Sequence, residues 1–225
     1  MDTSRLLEQL ADDFAAVVPT VDAEAEHDRW KPGIGPFEED RQVEMLREAV
    51  EDDTSYSIET EKPYLNGGQR VDLFIETEET ALPVEAKLLR FRYDNGNIDP
   101  NSFPKVFSPF PERTASTLLT DAQKLYKAGF EENGGLLGLY YQPENESYEQ
   151  MSADAIAEKF CLDVDYWYDF EVETRNVAHF EGRPRTVGHS NNPRTSGQRH
   201  GKKTVSDSTT TSKSHSENLN TRLLG

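Results

Sequence analysis

The chain is poor in cysteine, in lysine and in long apolar runs. Its single cysteine, Cys161, rules out an internal disulfide and any site built from several thiolates, and leaves a buried structural thiol as the expected role. No apolar run approaches the ~20 residues that a membrane span needs, so no membrane partner is expected. The N-terminal "MDTSRLLEQL" lacks a basic start followed by an apolar core, the pattern of a signal peptide. A cytoplasmic location follows as the expectation. Lysines number ten against fourteen arginines, and 42 acidic residues bring the formal charge to −18. So acidic a surface suits solubility in a salt-rich, halophilic cell. It speaks little about nucleic acid, because a local basic groove can sit on an acidic body.

What is present is unevenly distributed. Residues 181–225 carry three acids and eight Lys/Arg, a net of +5, which leaves −23 on residues 1–180. The stretch "SNNPRTSGQRHGKKTVSDSTTTSKSHSENLN" offers almost nothing to bury, so residues 183–225 are expected to form a disordered polar and basic tail. At the other end, Leu6, Leu7, Leu10, Phe14, Val17 and Val18 recur at helical spacing until Pro19, where the helix is expected to stop. With the acidic linker after it, this helix makes up residues 1–32. Residues 33–182 then read as one mixed α/β domain.

Within that domain "EEDRQVEMLREAV" is an amphipathic helix with Val43, Leu46 and Val50 on one face. The period next changes to two, and "YSIETEKPYL", "QRVDLFIET" and "ALPVEAKLLRFR" read as three strands. A long loop is expected over residues 93–113. "TASTLLTDAQKLYKAGF" is a second helix, "GGLLGLYYQ" a buried strand, "SADAIAEKF" a short helix capped by Ser152, and "YDFEVETRNVAHFEG" a last strand.

One register carries chemistry. If "TEET" is the turn between the second and third strands, Asp72 falls directly opposite Glu85, within roughly 5 Å on one face. Lys87, two residues on, shares that face with Glu85. Val71, Leu73, Val84, Ala86 and Leu88 then project into a core on the other. Two facing carboxylates repel unless a positive charge lies between them, and a hard cation such as Mg²⁺ meets that need. A lysine beside it can orient a water and stabilise charge growing on phosphorus. Glu85 and Lys87 form the only acid-x-Lys in the chain.

"RVDLFIE…LPVEAK" resembles the signature of the PD-(D/E)xK, or restriction-endonuclease-like, nuclease superfamily: an Asp on one strand and Glu-x-Lys on the next. The resemblance spans about residues 37–142 and implies an αβββαβ core with a mixed central sheet flanked by helices. It departs from the family pattern at Val71, which stands where members carry proline. It implies a metal-dependent nuclease acting on DNA, endo- or exonuclease, with Asp72 and Glu85 binding Mg²⁺ (Mn²⁺ in its place) and Lys87 catalytic. Family members add a glutamate from the preceding helix, for which Glu39 is the first choice and Glu44 or Glu38 the alternatives. They also place Gln or Lys on the following helix, here Gln123 and Lys124.

Arg90 and Arg92, with Lys105 and Arg113, are candidates for a phosphate-binding patch, and a homodimer is an admissible assembly. Plainer roles stand beside these. Asp72 would pair with Arg70, Lys87 with Glu85 across a solvated face, and Glu39 would serve the helix dipole. Gln123 and Lys124 would be ordinary exposed residues, and Phe91, Phe103, Phe107 and Phe110 would pack the long loop onto the body. The alternative function is a non-catalytic nucleic-acid-binding or assembly module on the same fold. An accidental motif would leave Asp72 and Glu85 more than about 8 Å apart, too far to share one ion.

Overall fold

The computed structural model describes residues 2–29, 32–64, 68–92, 97–110, 116–128, 130, 133–142, 152–172, 174–175, 179–180 and 218–224. Helix α1 (Thr3–Glu24) is capped by Asp2, which accepts from the Arg5 N–H. It is followed by α2 (Glu39–Val50) and by strands β1 (Ser57–Pro63), β2 (Arg70–Glu76) and β3 (Ala81–Leu89). Next come α3 (Ser102–Phe107), α4 (Leu118–Lys127), β4 (Gly135–Gln142) and α5 (Ala153–Trp167), then short β5 (Thr174–Arg175) and β6 (His179–Phe180), and finally β7 (Asn218–Leu224). The central strands run β1-β2-β3-β4, with β2 antiparallel to both β1 and β3, and β4 parallel to β3. The result is a mixed sheet flanked by helices.

Two apolar layers sandwich it. On one face α1 and α2 bury Leu6, Leu10, Phe14, Val43 and Leu46 against Leu73, Ile75, Val84 and Leu137. On the other, α3, α4 and α5 cover Val71, Leu89, Leu136 and Tyr140. The segment expected to precede the domain thus contributes seven buried residues of α1 to the domain's own core.

Several expectations are corrected. Helix α1 does not stop at Pro19 but runs through it to Glu24. The proline forfeits one backbone hydrogen bond, and burial of Val18 and Val21 on either side of it holds the helix together. Helix α5 extends past Phe160 to Trp167 because Ile156, Phe160 and Val164 continue one buried stripe at four-residue spacing. The last strand accordingly shrinks to β5 and β6. The long loop contains α3, which buries Val106 and Phe107. Of the tail, residues 218–224 form β7, antiparallel to β4 and extending the sheet, because the far side of β4 otherwise ends in unpaired backbone groups. Residues 183–217 lie outside the described residues, as does Arg113. No helix among the described residues is long and apolar enough to cross a membrane.

The excess of acid over base on residues 1–180 predicts a measurable property of this fold. Self-repulsion weakens the compact state, and salt screens it. The midpoint of thermal unfolding is expected to rise by roughly 5 °C or more between low salt and molar KCl, the shift that ~2 kcal/mol produces in a chain of this size. A calorimetric series in KCl checks this, and a midpoint that stays flat would refute it.

Candidate active site

The hairpin of β2 and β3 sets the frame. Thr77 closes the "TEET" turn, its N–H bonded to the Thr80 carbonyl at 2.8 Å and its hydroxyl accepting the Thr80 N–H at 3.0 Å. The ladder then pairs Glu76 with Ala81, Ile75 with Leu82, Phe74 with Pro83 and Leu73 with Val84. This is the expected register, and the next position in it is Asp72 opposite Glu85. There the ladder gives way to a side chain: Asp72 Oδ2 accepts the Ala86 N–H at 2.8 Å. Asp72 therefore bonds the backbone beside Glu85, not Arg70.

The alternation of β2 also breaks at this point. Val71, expected to share the face of Leu73, lies instead in the opposite apolar layer. Pairing with β1 passes from Thr60–Leu73 to Lys62–Val71 and skips Glu61, whose φ of 56° places it in the left-handed region.

Lys87 is 8% exposed, and its ammonium holds side chains from both helical layers. It donates to Glu39 Oε1 at 2.8 Å and to Ser116 Oγ at 2.9 Å, and lies 3.4 Å from Asp121 Oδ2. Burial alone would lower its pKa, but the charges of Glu39 and Asp121 more than reverse this, so the ammonium is favoured. Its plainer role as a surface partner of Glu85 is thereby replaced. Glu39, the first residue of α2, also accepts the Leu88 N–H. Burial raises its pKa against the opposing pull of Lys87. Of the alternatives, Glu44 is bound to Arg47 at 2.9 Å and Glu38 is the residue preceding α2. Only Glu39 reaches the motif.

Glu85, 3% exposed, accepts a hydrogen bond from the Tyr64 hydroxyl. Burial, with the fields of Asp72 and Asp121 added, pushes its carboxyl up to about 8. Burial and the bond to Glu85 likewise raise the Tyr64 phenol. Asp121 sits in the first turn of α4 with its side chain 2% exposed, between Lys87 and Lys124. Lys124 Nζ lies 2.5 Å from Asp121 Oδ1.

The cluster thus holds four carboxylates, Glu39, Asp72, Glu85 and Asp121, against two ammonium groups, Lys87 and Lys124. The lysines pair with Glu39 and Asp121, while Glu85 accepts from the Tyr64 hydroxyl and Asp72 from the Ala86 N–H. Burial first, and then the neighbouring Asp72 and Asp121 carboxylates, raise Glu85, so a cation placed beside Asp72 and Glu85 would be electrostatically favoured. The donor set fits a hard divalent ion. Among the described residues no three His, Cys, Asp or Glu side chains are grouped to hold a metal by themselves. Mg²⁺ does not require such a group, since it commonly takes one or two carboxylates and fills its remaining positions with water and substrate phosphate.

Beside the cluster, Tyr64, Gln69, Gln123, Lys124 and Lys127 line a cleft of about 180 Å³. Gln123 and Lys124 both come from α4. Arg90 and Arg92 are not drawn into the cluster. Arg90 donates to the Gly35 carbonyl, Arg92 bridges to Ile98 and lies near the Tyr140 phenol, and Lys105 pairs with Asp99 at 3.9 Å. Arg90 and Lys105 remain exposed beside these local contacts. Phe91, Phe103 and Phe107 pack on one another at centroid distances of 5.2 to 6.2 Å, and Phe110 meets Trp167 at 5.2 Å, so these rings pack the segment onto the body.

Asp121, Tyr64 and Ser116 were not legible as site residues. Asp121 reads as a helix-start acid and Tyr64 as a strand-end aromatic, and Ser116 carries no local signal. No family model matches the chain, and no curated protein or solved structure matches it either.

Proposed function

We propose that this chain is a metal-dependent nuclease that hydrolyses phosphodiester bonds in DNA. The observation that carries the reading is the convergence of Asp72, Glu85 and a buried, protonated Lys87 on β2 and β3, with the field of Asp72 acting on Glu85. Asp72 and Glu85 would hold Mg²⁺, or Mn²⁺ in its place, which when bound neutralises phosphate charge and makes a coordinated water more acidic. Water oxygen adds to phosphorus as the P–O bond to the leaving oxygen breaks, and that oxygen departs with a proton. Lys87, held in its ammonium form, donates to the phosphoryl oxygens as charge grows on them. Glu39 and Asp121 fix the position of that ammonium, and Gln123 and Lys124 face the strand from the cleft.

The second reading, a non-catalytic nucleic-acid-binding module on the same fold, is favoured by one observation. All three donors of Lys87 are engaged, by Glu39, Ser116 and Asp121. One assay separates the two. Plasmid and single-stranded DNA are incubated with the protein in Mg²⁺, in Mn²⁺ and in EDTA. Cleavage that needs the metal and disappears in Lys87→Ala supports the nuclease. Binding without cleavage supports the module, and equal cleavage by both proteins refutes the assignment.

A further inference from the structure

We propose that α4 carries a stacking platform for the bases of single-stranded DNA, built on Tyr126 beside the cleft. The proposal rests on reading the site as one that acts on nucleic acid, and it adds which form of nucleic acid is engaged. Tyr126 is 60% exposed although it is a large aromatic residue on a helix that buries Leu118, Leu119, Ala122 and Leu125. It stands on the turn of α4 that supplies Gln123, Lys124 and Lys127 to the lining of the cleft. Around the helix axis Gln123 falls between Tyr126 and Lys127, one turn before them, so ring and cleft are neighbours on one face.

The ring is also oriented. Tyr126 stacks on Phe170 with centroids 4.6 Å apart and planes 19° apart, and Phe170 stacks on Tyr168 at 5.2 Å and 11°. Tyr168 and Phe170 pack against the core layer of α4 and α5. Three near-parallel rings thus rise from the core, and the outermost turns its second face to solvent. A base placed on that face continues the stack in the same planes. Any base has such a face, whereas in a duplex the faces are covered by neighbouring pairs, so an unpaired strand is the partner that fits.

Charge points the same way. On a body carrying −23 over residues 1–180, the cleft beside the ring is lined by two lysines and two glutamines, donors suited to a phosphate backbone. Lys124 then connects the cleft to Asp121 and Lys87. A strand stacked on Tyr126 would pass its backbone over the cleft toward the carboxylates.

The test is the binding of a short fluorescein-labelled oligothymidine in EDTA, followed by anisotropy, for wild type and three variants whose melting curves are checked in parallel. Tyr126→Ala is expected to weaken binding about tenfold, within the range of one lost base–aromatic stack, and Tyr126→Phe to stay within about twofold of wild type. Tyr166→Ala, which removes a ring 78% exposed on α5 that lines no part of the cleft, is expected to bind as wild type does. Equal binding by wild type and Tyr126→Ala overturns the platform, as does equal loss in Tyr166→Ala. Tyr126-dependent binding without cleavage in Mg²⁺ or Mn²⁺ would refute the nuclease and keep the platform. Cleavage of duplex DNA without Tyr126-dependent binding would do the reverse.

Discussion

Replacing Lys87 by alanine is expected to lower DNA cleavage about 10²- to 10³-fold, the range seen when one preorganised donor to a developing oxyanion is removed. The same substitution disturbs the fold, because Lys87 is the ammonium shared by Glu39 and Asp121. Removing one partner of a buried pair leaves the other charge unsatisfied, at a cost on the order of 3 kcal/mol. The Glu39 side chain is 32% exposed, so water relieves part of that burden on its side, while Asp121, at 2%, is left to Lys124. The two effects come apart in the double variant Glu39→Gln/Lys87→Ala. Urea unfolding is expected to show recovery of much of the lost stability, because one of the stranded carboxylates is gone. Cleavage is expected to stay at the level of Lys87→Ala. If activity returns along with stability, Lys87 is a structural ion-pair partner and its catalytic assignment fails.

Glu85→Gln is expected to stabilise the protein in EDTA at pH 8 and above, by an amount on the order of a few kcal/mol. Glu85 is pushed up to about 8 from its ordinary 4.5, first by burial and then by the fields of Asp72 and Asp121. The native state therefore holds this proton more tightly than the unfolded chain does. The stability this group contributes is fully present below about pH 4.5, declines as pH rises, and is lost once pH passes about 8. Glutamine has no proton to lose and can still accept from the Tyr64 hydroxyl. The two proteins should thus converge near pH 4.5 and diverge steadily to pH 8, which unfolding curves over that range in EDTA will show. Parallel curves at every pH would mean that Glu85 is not short of a countercharge. Added Mg²⁺ should stabilise wild type at pH 8, as any ligand of the native state does, and leave Glu85→Gln nearly unmoved.

Much of the frame was legible because it follows from short-range rules. "TEET" closes a tight turn through Thr77 and Thr80, and once the turn is set the ladder must pair Leu73 with Val84 and bring Asp72 toward Glu85. Apolar spacing likewise marked α2 and α4, and an acid at the first position of α2 put Glu39 within reach of the motif. Local rules also misled. Pro19 by local rules ends α1, yet the core on both sides of it outweighs the lost backbone bond. Strict alternation placed Val71 with Leu73, yet Glu61 at positive φ interrupts the pairing opposite Asp72.

Turn chemistry and strand periodicity thus suffice for the hairpin, its register, and the presence of Asp72, Glu85 and Lys87 at one end of it. What each of these touches follows from long-range packing. It gave Lys87 to Glu39, Ser116 and Asp121 in place of Glu85, put Tyr64 on Glu85, and turned Arg90 and Arg92 to other partners. The physical reason is range. Periodicity and turn chemistry act over a few residues, whereas the partner of a buried charge is whichever group the packed layers carry to it, here from 48 residues before Lys87 and 29 after.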